Sequence, residues 1–151
     1  MNRIELVVCE RSSRWASALR LSFAASGTPF RLRETRHLEE LAVELAERPA
    51  CLAAIEFDHT NFAAALAELT VIRKKFPDVR TIALLDRSLM SEFAAVRDAV
   101  VEAGAAAVAA SPRGLNSILA LSERHAATKR TKDDGMPLVA RIWATLPWQA
   151  V

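Results

Sequence analysis

The sequence predicts an α/β domain: five parallel strands in the order 2-1-3-4-5, each followed by a helix. Three observations predict it. Short apolar runs at 4–8, 51–57 and 81–85 each lead into acid, at Cys9-Glu10, at Glu56 and Asp58, and at Asp86. Longer segments between them keep their apolar residues on one helical face. The run Phe30-Arg-Leu-Arg-Glu34 instead alternates apolar and charged residues, as an edge strand with one wet face does. Strands alternating with helices imply a parallel sheet covered on both sides. Right-handed crossovers leave few windings, and an outlying second strand selects 2-1-3-4-5.

The first strand spans 3–9. The first helix, 12–26, carries Trp15, Leu19 and Phe23 at spacings of four, and Gly27 followed by Pro29 stops it. The second strand covers 30–34. The second helix, 37–47, turns Leu38, Leu41, Ala42 and Leu45 inward before Pro49 ends it. The third strand, 51–57, is apolar on both faces and therefore central. The third helix, 61–76, aligns Phe62, Leu66, Leu69, Ile72 and Phe76, and breaks at Pro77-Asp78. The fourth strand is 80–85. A fourth helix starts near Ser91, a good N-cap, buries Phe93, Val96 and Val100, and closes at Gly104. The fifth strand is 105–110. After the turn at Ser111-Pro112, a fifth helix, 113–127, faces Leu115, Ile118 and Leu121 inward.

A chain of 151 residues fits one folded domain, here 1–127. Residues 128–135 are polar and read as a linker. Residues 136–151 turn apolar again. The net charge of +2 is too weak to argue for nucleic acid. No apolar run approaches the ~20 residues that span a bilayer, and no leader-like segment opens the chain. Cys9 and Cys51 fall at opposite ends of adjacent strands, too far apart for a disulfide. These features point to a cytoplasmic protein that uses no membrane.

Three acidic strand ends place Glu10, Glu56 and Asp86, with Asp58 nearby, at the C-terminal edge of the sheet, where open α/β folds hold ligands. Oxygen ligands of this kind suit a hard divalent ion, for which Glu10 and Glu56 are weak candidates. The alternative is that Arg11, Arg87 or Arg113 pairs with the acids. If they converge without a cation, at least one carboxylate should have a raised pKa. No nucleophile–base pair accompanies them. His37, His59 and His125 are scattered, and only His59 falls on the pocket side. Cys9 has Glu10 beside it, which disfavours a thiolate. No Gly-rich phosphate loop is present. We therefore expect no enzyme and no cofactor.

The chain resembles a response-regulator receiver domain over roughly residues 1–127. The resemblance rests on element order, on acidic strand ends and on two local phrases. One is Ile72-Arg-Lys-Lys-Phe-Pro-Asp-Val-Arg-Thr-Ile-Ala-Leu-Leu85. The other is Glu102-Ala-Gly-Ala105 leading to Ser111-Pro112. It implies a flavodoxin-like, receiver-like fold. It also implies five functional positions, and this chain departs from the family pattern at every one. The acidic pair that holds Mg²⁺ is Cys9-Glu10. The phosphoacceptor aspartate is Glu56, whose extra methylene displaces the carboxylate, and phosphoryl transfer depends on positioning. The phosphoryl-binding Ser or Thr is Asp86, which would repel the group. The lysine is Ser111. The switching aromatic of the fifth strand is Val108. The resemblance therefore implies a pseudo-receiver in a two-component-type signal transduction setting, not switched by aspartyl phosphorylation.

The tail bears on partners. Leu138, Ile142 and Leu146 share a helical face with Trp143 beside them, and Trp148 follows Pro147. Tryptophan is enriched at binding hot spots. Such a segment either folds back on its own domain or docks on a partner or a second copy, and both readings stay open. The expected function is a non-catalytic protein–protein interaction module, with another protein or a homodimer as its partner. The alternative is a sensor of a small ligand or divalent metal that uses the acidic pocket.

Overall fold

Alternate side chains of the strands serve two different helix layers. The computed structural model describes residues 3–133. Its strands are β1 (Ile4–Cys9), β2 (Phe30–Thr35), β3 (Leu52–Phe57), β4 (Arg80–Leu85) and β5 (Ala107–Ala109). Its helices are α1 (Arg14–Ser26), α2 (Leu38–Glu47), α3 (Phe62–Lys75), α4 (Phe93–Ala103) and α5 (Asn116–Asp133). The sheet is ordered β2-β1-β3-β4-β5, and every neighbouring pair is parallel. The expected architecture and strand order are thus observed.

The side-chain period of two sorts the core. Leu6 and Val8 of β1, Leu52 and Ala54 of β3, and Ile82 and Leu84 of β4 pack with Trp15, Leu19 and Phe23 of α1 and Ile118 of α5. The intervening Val7, Ala53, Ile55, Phe57, Ala83 and Leu85 pack with α2, α3 and α4 through Leu41, Leu45, Leu69, Ile72 and Val100. Both faces of the central strands are therefore covered, which explains their continuous apolar runs. Cys9 pairs with Ile55, whereas Cys51 precedes Leu52. Four residues of strand separate the thiols, about 13 Å, too far for a disulfide.

Gly27 ends α1 in the left-handed region, with φ of 72°, and its amide bonds to the Ala24 carbonyl. This is a conformation that glycine adopts without a Cβ penalty. Three expected boundaries shift. Asp86, not Ser91, opens the winding before α4: its carboxylate accepts from the Ser88 amide and starts a 3-10 turn over Arg87–Glu92. Ser91 lies inside that turn. Strand β5 keeps only three of its expected residues, because a run of alanine has little strand preference and little bulk to hold an edge ladder. Helix α5 continues to Asp133, through much of the segment expected to be a linker. His125 helps to fix that helix, with its Nε2 2.7 Å from the Ala50 carbonyl oxygen. No helix among the described residues is long and apolar enough to cross a membrane. The tail residues Leu138, Ile142, Trp143, Leu146 and Trp148 lie outside the described residues.

Candidate functional site

The C-terminal edge of the sheet gathers the predicted acids, and each is engaged differently. Glu10 follows β1 with the parity of Ile4, Leu6 and Val8, so it faces α1. It is buried. Its Oε1 accepts from the Ala16 amide at 2.7 Å and its Oε2 from the Trp15 amide at 3.0 Å. These amides sit in the first turn of α1, where no backbone carbonyl is available to them. Glu10 is thus a helix cap reaching back from the strand. Burial pushes its pKa up, while the Ala16 and Trp15 amides pull it down.

Glu56 is 8% exposed, and its carboxylate receives one long contact, from the Arg11 amide at 3.4 Å. Its backbone carbonyl accepts from Asn61 Nδ2 at 2.7 Å, which fixes the chain rather than the carboxylate. Burial raises the Glu56 pKa, the Arg11 amide lowers it, and the charges of Glu10, Asp86 and Asp58 raise it again. The carboxyl pKa is thus raised at both Glu10 and Glu56.

Asp58 is turned into its own loop. Its Oδ1 accepts from the Thr60 amide, the Thr60 hydroxyl and the Asn61 amide, at 2.7, 2.7 and 2.8 Å. Arg11 Nε stands 3.6 Å from its Oδ2. Burial acts to raise its pKa, but these hydrogen bonds hold it below the usual range. Asp86 is lowered too, by the Ser88 amide and hydroxyl first and by Arg14 last, with Arg14 Nη1 3.7 Å away. Arg11 was an expected partner. Arg14 was missed, as was Arg36, which donates to the Glu10 carbonyl at 3.2 Å. Arg87 and Arg113 form no ion pair among the described residues.

The expected single acidic pocket is in fact two depressions of different character. One, of about 230 Å³, is lined by Cys9, Glu10, Arg36, His37 and Glu56 among others. The other, of about 530 Å³, is lined by Arg14, Arg87, Ser111, Pro112 and Arg113. Asp86 lines neither.

The remaining predicted positions are plainly placed. Cys9 is buried, and its thiol pKa is raised by burial against a hydrogen bond from Thr35. That makes it a packed thiol rather than a reactive one. Ser111 is exposed, and its hydroxyl accepts from the Arg113 amide at 3.3 Å. Val108 is half-buried against the α2–α4 layer, an aliphatic side chain in the place of the aromatic. His59 is exposed, and its amide donates to Ser88 Oγ.

The receiver fold implies Mg²⁺ at this edge, and the residues present do not fit it. Both oxygens of Glu10 already face backbone amides, and a thiol replaces the other acid. Among the described residues, no group of three or more His, Cys, Asp or Glu could hold a metal ion.

Solved structures similar to this chain include CheY-like proteins and response regulators. A CheY-like protein, tadZ, from Pseudomonas aeruginosa PAO1 matches with a TM-score of 0.61 and 20% identity over 83% of this chain and 94% of that one. A response regulator from Thermotoga maritima matches with a TM-score of 0.60 and 20% identity over 83% and 98%. An atypical orphan response regulator, reported with a phosphorylation-independent regulatory mechanism, matches with a TM-score of 0.59 and 18% identity over 82% and 96%. No protein-family model matches the chain, and no curated protein does at a significant level. At these identities the comparisons establish the receiver fold, of the CheY-like, flavodoxin-like type.

Proposed function

We propose that this chain is a pseudo-receiver: the receiver fold kept as a protein–protein interaction module, without aspartyl phosphorylation. The observation that carries this reading is the state of Glu10. A receiver needs free carboxylate oxygens there for Mg²⁺, and here both cap α1. The glutamate in the phosphoacceptor place adds to it. Glu56 is buried, displaced by a methylene, and surrounded by carboxylates that oppose an incoming phosphoryl group. Asp86 and Ser111 supply neither of the groups that hold a phosphoryl in register. The atypical orphan regulator with a phosphorylation-independent mechanism offers a precedent on the same fold.

In this reading the surface around α4, β5 and α5 meets the partner, and the tail at 136–151 modulates that surface, either folded back on its own domain or docked on a partner or a second copy. Its apolar side, Leu138, Ile142 and Leu146 with Trp143 and Trp148, suits a groove on a second protein or a second copy.

The test is incubation of the full chain with acetyl phosphate and Mg²⁺, followed by intact-mass spectrometry. We expect no phosphoryl adduct and no Mg²⁺-dependent rise in melting temperature. An adduct that disappears in Glu56→Gln would overturn the proposal.

A further inference from the structure

The arginine-lined depression has no role in the reading above. Arg14 is the first residue of α1, Arg87 directly follows Asp86, and Arg113 lies in the turn between β5 and α5. The parallel sheet brings three separate loops to one edge, where these side chains line a single opening of about 530 Å³ with Ser111 and Pro112. Of these three guanidinium groups only that of Arg14 has an ion-pair partner among the described residues, Asp86, at 3.7 Å between half-exposed side chains. The first turns of α1, of the 3-10 turn and of α5, which border this opening, contain no acid, and the acid of the 3-10 turn is its cap, Asp86. Glu10 answers the N-terminus of α1, but it lies under that helix and does not line the opening.

The result is a concave surface with an excess of positive charge, since Arg87 and Arg113 have no ion-pair partner among the described residues. Guanidinium groups present planar pairs of donors that match the oxygens of phosphates and carboxylates, and several of them together suit the multiply charged phosphate groups. An opening this size exceeds a single phosphate, and donors arriving from three loops suit a ligand with oxygens on several sides. We propose that this depression binds a soluble diphosphate or polyphosphate group non-covalently, held by Arg14, Arg87 and Arg113. Glu56 takes no part, since it does not line the opening. The site is therefore independent of whether the chain can be phosphorylated.

Isothermal titration of the full chain with sodium pyrophosphate, at ionic strength held constant with chloride, tests this. We expect saturable one-to-one binding, with inorganic phosphate binding more weakly. The double variant Arg87→Gln/Arg113→Gln should weaken pyrophosphate by about tenfold or more, which corresponds to about 1.4 kcal/mol. Arg97→Gln on the exposed side of α4 should bind like the parent. Thermal melts of both variants confirm that they fold. Absence of saturation at millimolar pyrophosphate would overturn the proposal. So would a double variant that binds as well as the parent, or an equal loss in Arg97→Gln, which would indicate only diffuse charge.

Discussion

Glu10 and Glu56 are carboxylates of one edge with opposite structural fates. Glu10 closes two amides of the first turn of α1, so its removal leaves buried donors without partners. Glu10→Ala is expected to cost about 2 kcal/mol of stability, read by urea denaturation. Glu10→Gln, which keeps one acceptor, should lose less. Glu56 is buried with little compensation, so its ionised form strains the fold. A raised folded pKa means that the folded chain holds the proton more tightly than the unfolded chain. Stability contributed by the protonated form is then lost as pH rises from the ordinary value of 4.5 through the raised one. Glu56→Gln removes the Glu56 share of this dependence, leaving that of Glu10, while keeping an acceptor for the Arg11 amide. The variant should melt about 2–4 °C above the parent at pH 7, and the two curves should meet below the ordinary value. Parallel profiles would mean that Glu56 does not titrate in this window. Asp58 and Asp86, both lowered, act in the opposite sense and only as the pH falls below their ordinary 3.8.

Among the elements, the α3–α4 contact depends on a residue that carries no side chain. Gly104 ends α4 with φ of 122°, and a Cβ there would meet Arg73 Cδ at 3.0 Å. Both the conformation and the close approach oppose substitution. Gly104→Ala is expected to cost about 1–3 kcal/mol. Combining it with Arg73→Ala should recover only the steric part. Full recovery by the second substitution would show that the backbone angle costs nothing. Strand β5 is the weakest part of the sheet, with three residues paired to β4 alone. It is the strand where exchange of amide hydrogens should be fastest, because few apolar contacts hold it.

For the whole molecule, truncation decides the role of the apolar tail. A chain ending at Gly135 is expected to lose melting temperature if residues 136–151 pack in cis. It is expected to lose a dimer if they pack on a second copy. Light scattering and thermal melts on the two chain lengths separate these outcomes. A shortened chain unchanged in both respects would assign the tail to a different protein partner.

The sequence alone carried the architecture, because periodicity is a local property that each segment declares for itself. Trp15, Leu19 and Phe23 marked the buried face of α1, and the wet alternation of Phe30 to Glu34 marked the edge strand. It also carried the gathering of acids, since parallel strands must end on one edge. What tertiary structure decided was how each acid is answered. Which amides lie within reach of Glu10, whether Arg11 or Arg14 finds Asp58 or Asp86, and where Arg87 and Arg113 are left open depend on loop paths between distant segments. No single segment encodes those distances. Charge near an edge is written in the sequence, but its compensation is set by contacts across the fold. That is why one expected acidic pocket became a depression lined by acids and arginines together and a separate basic one.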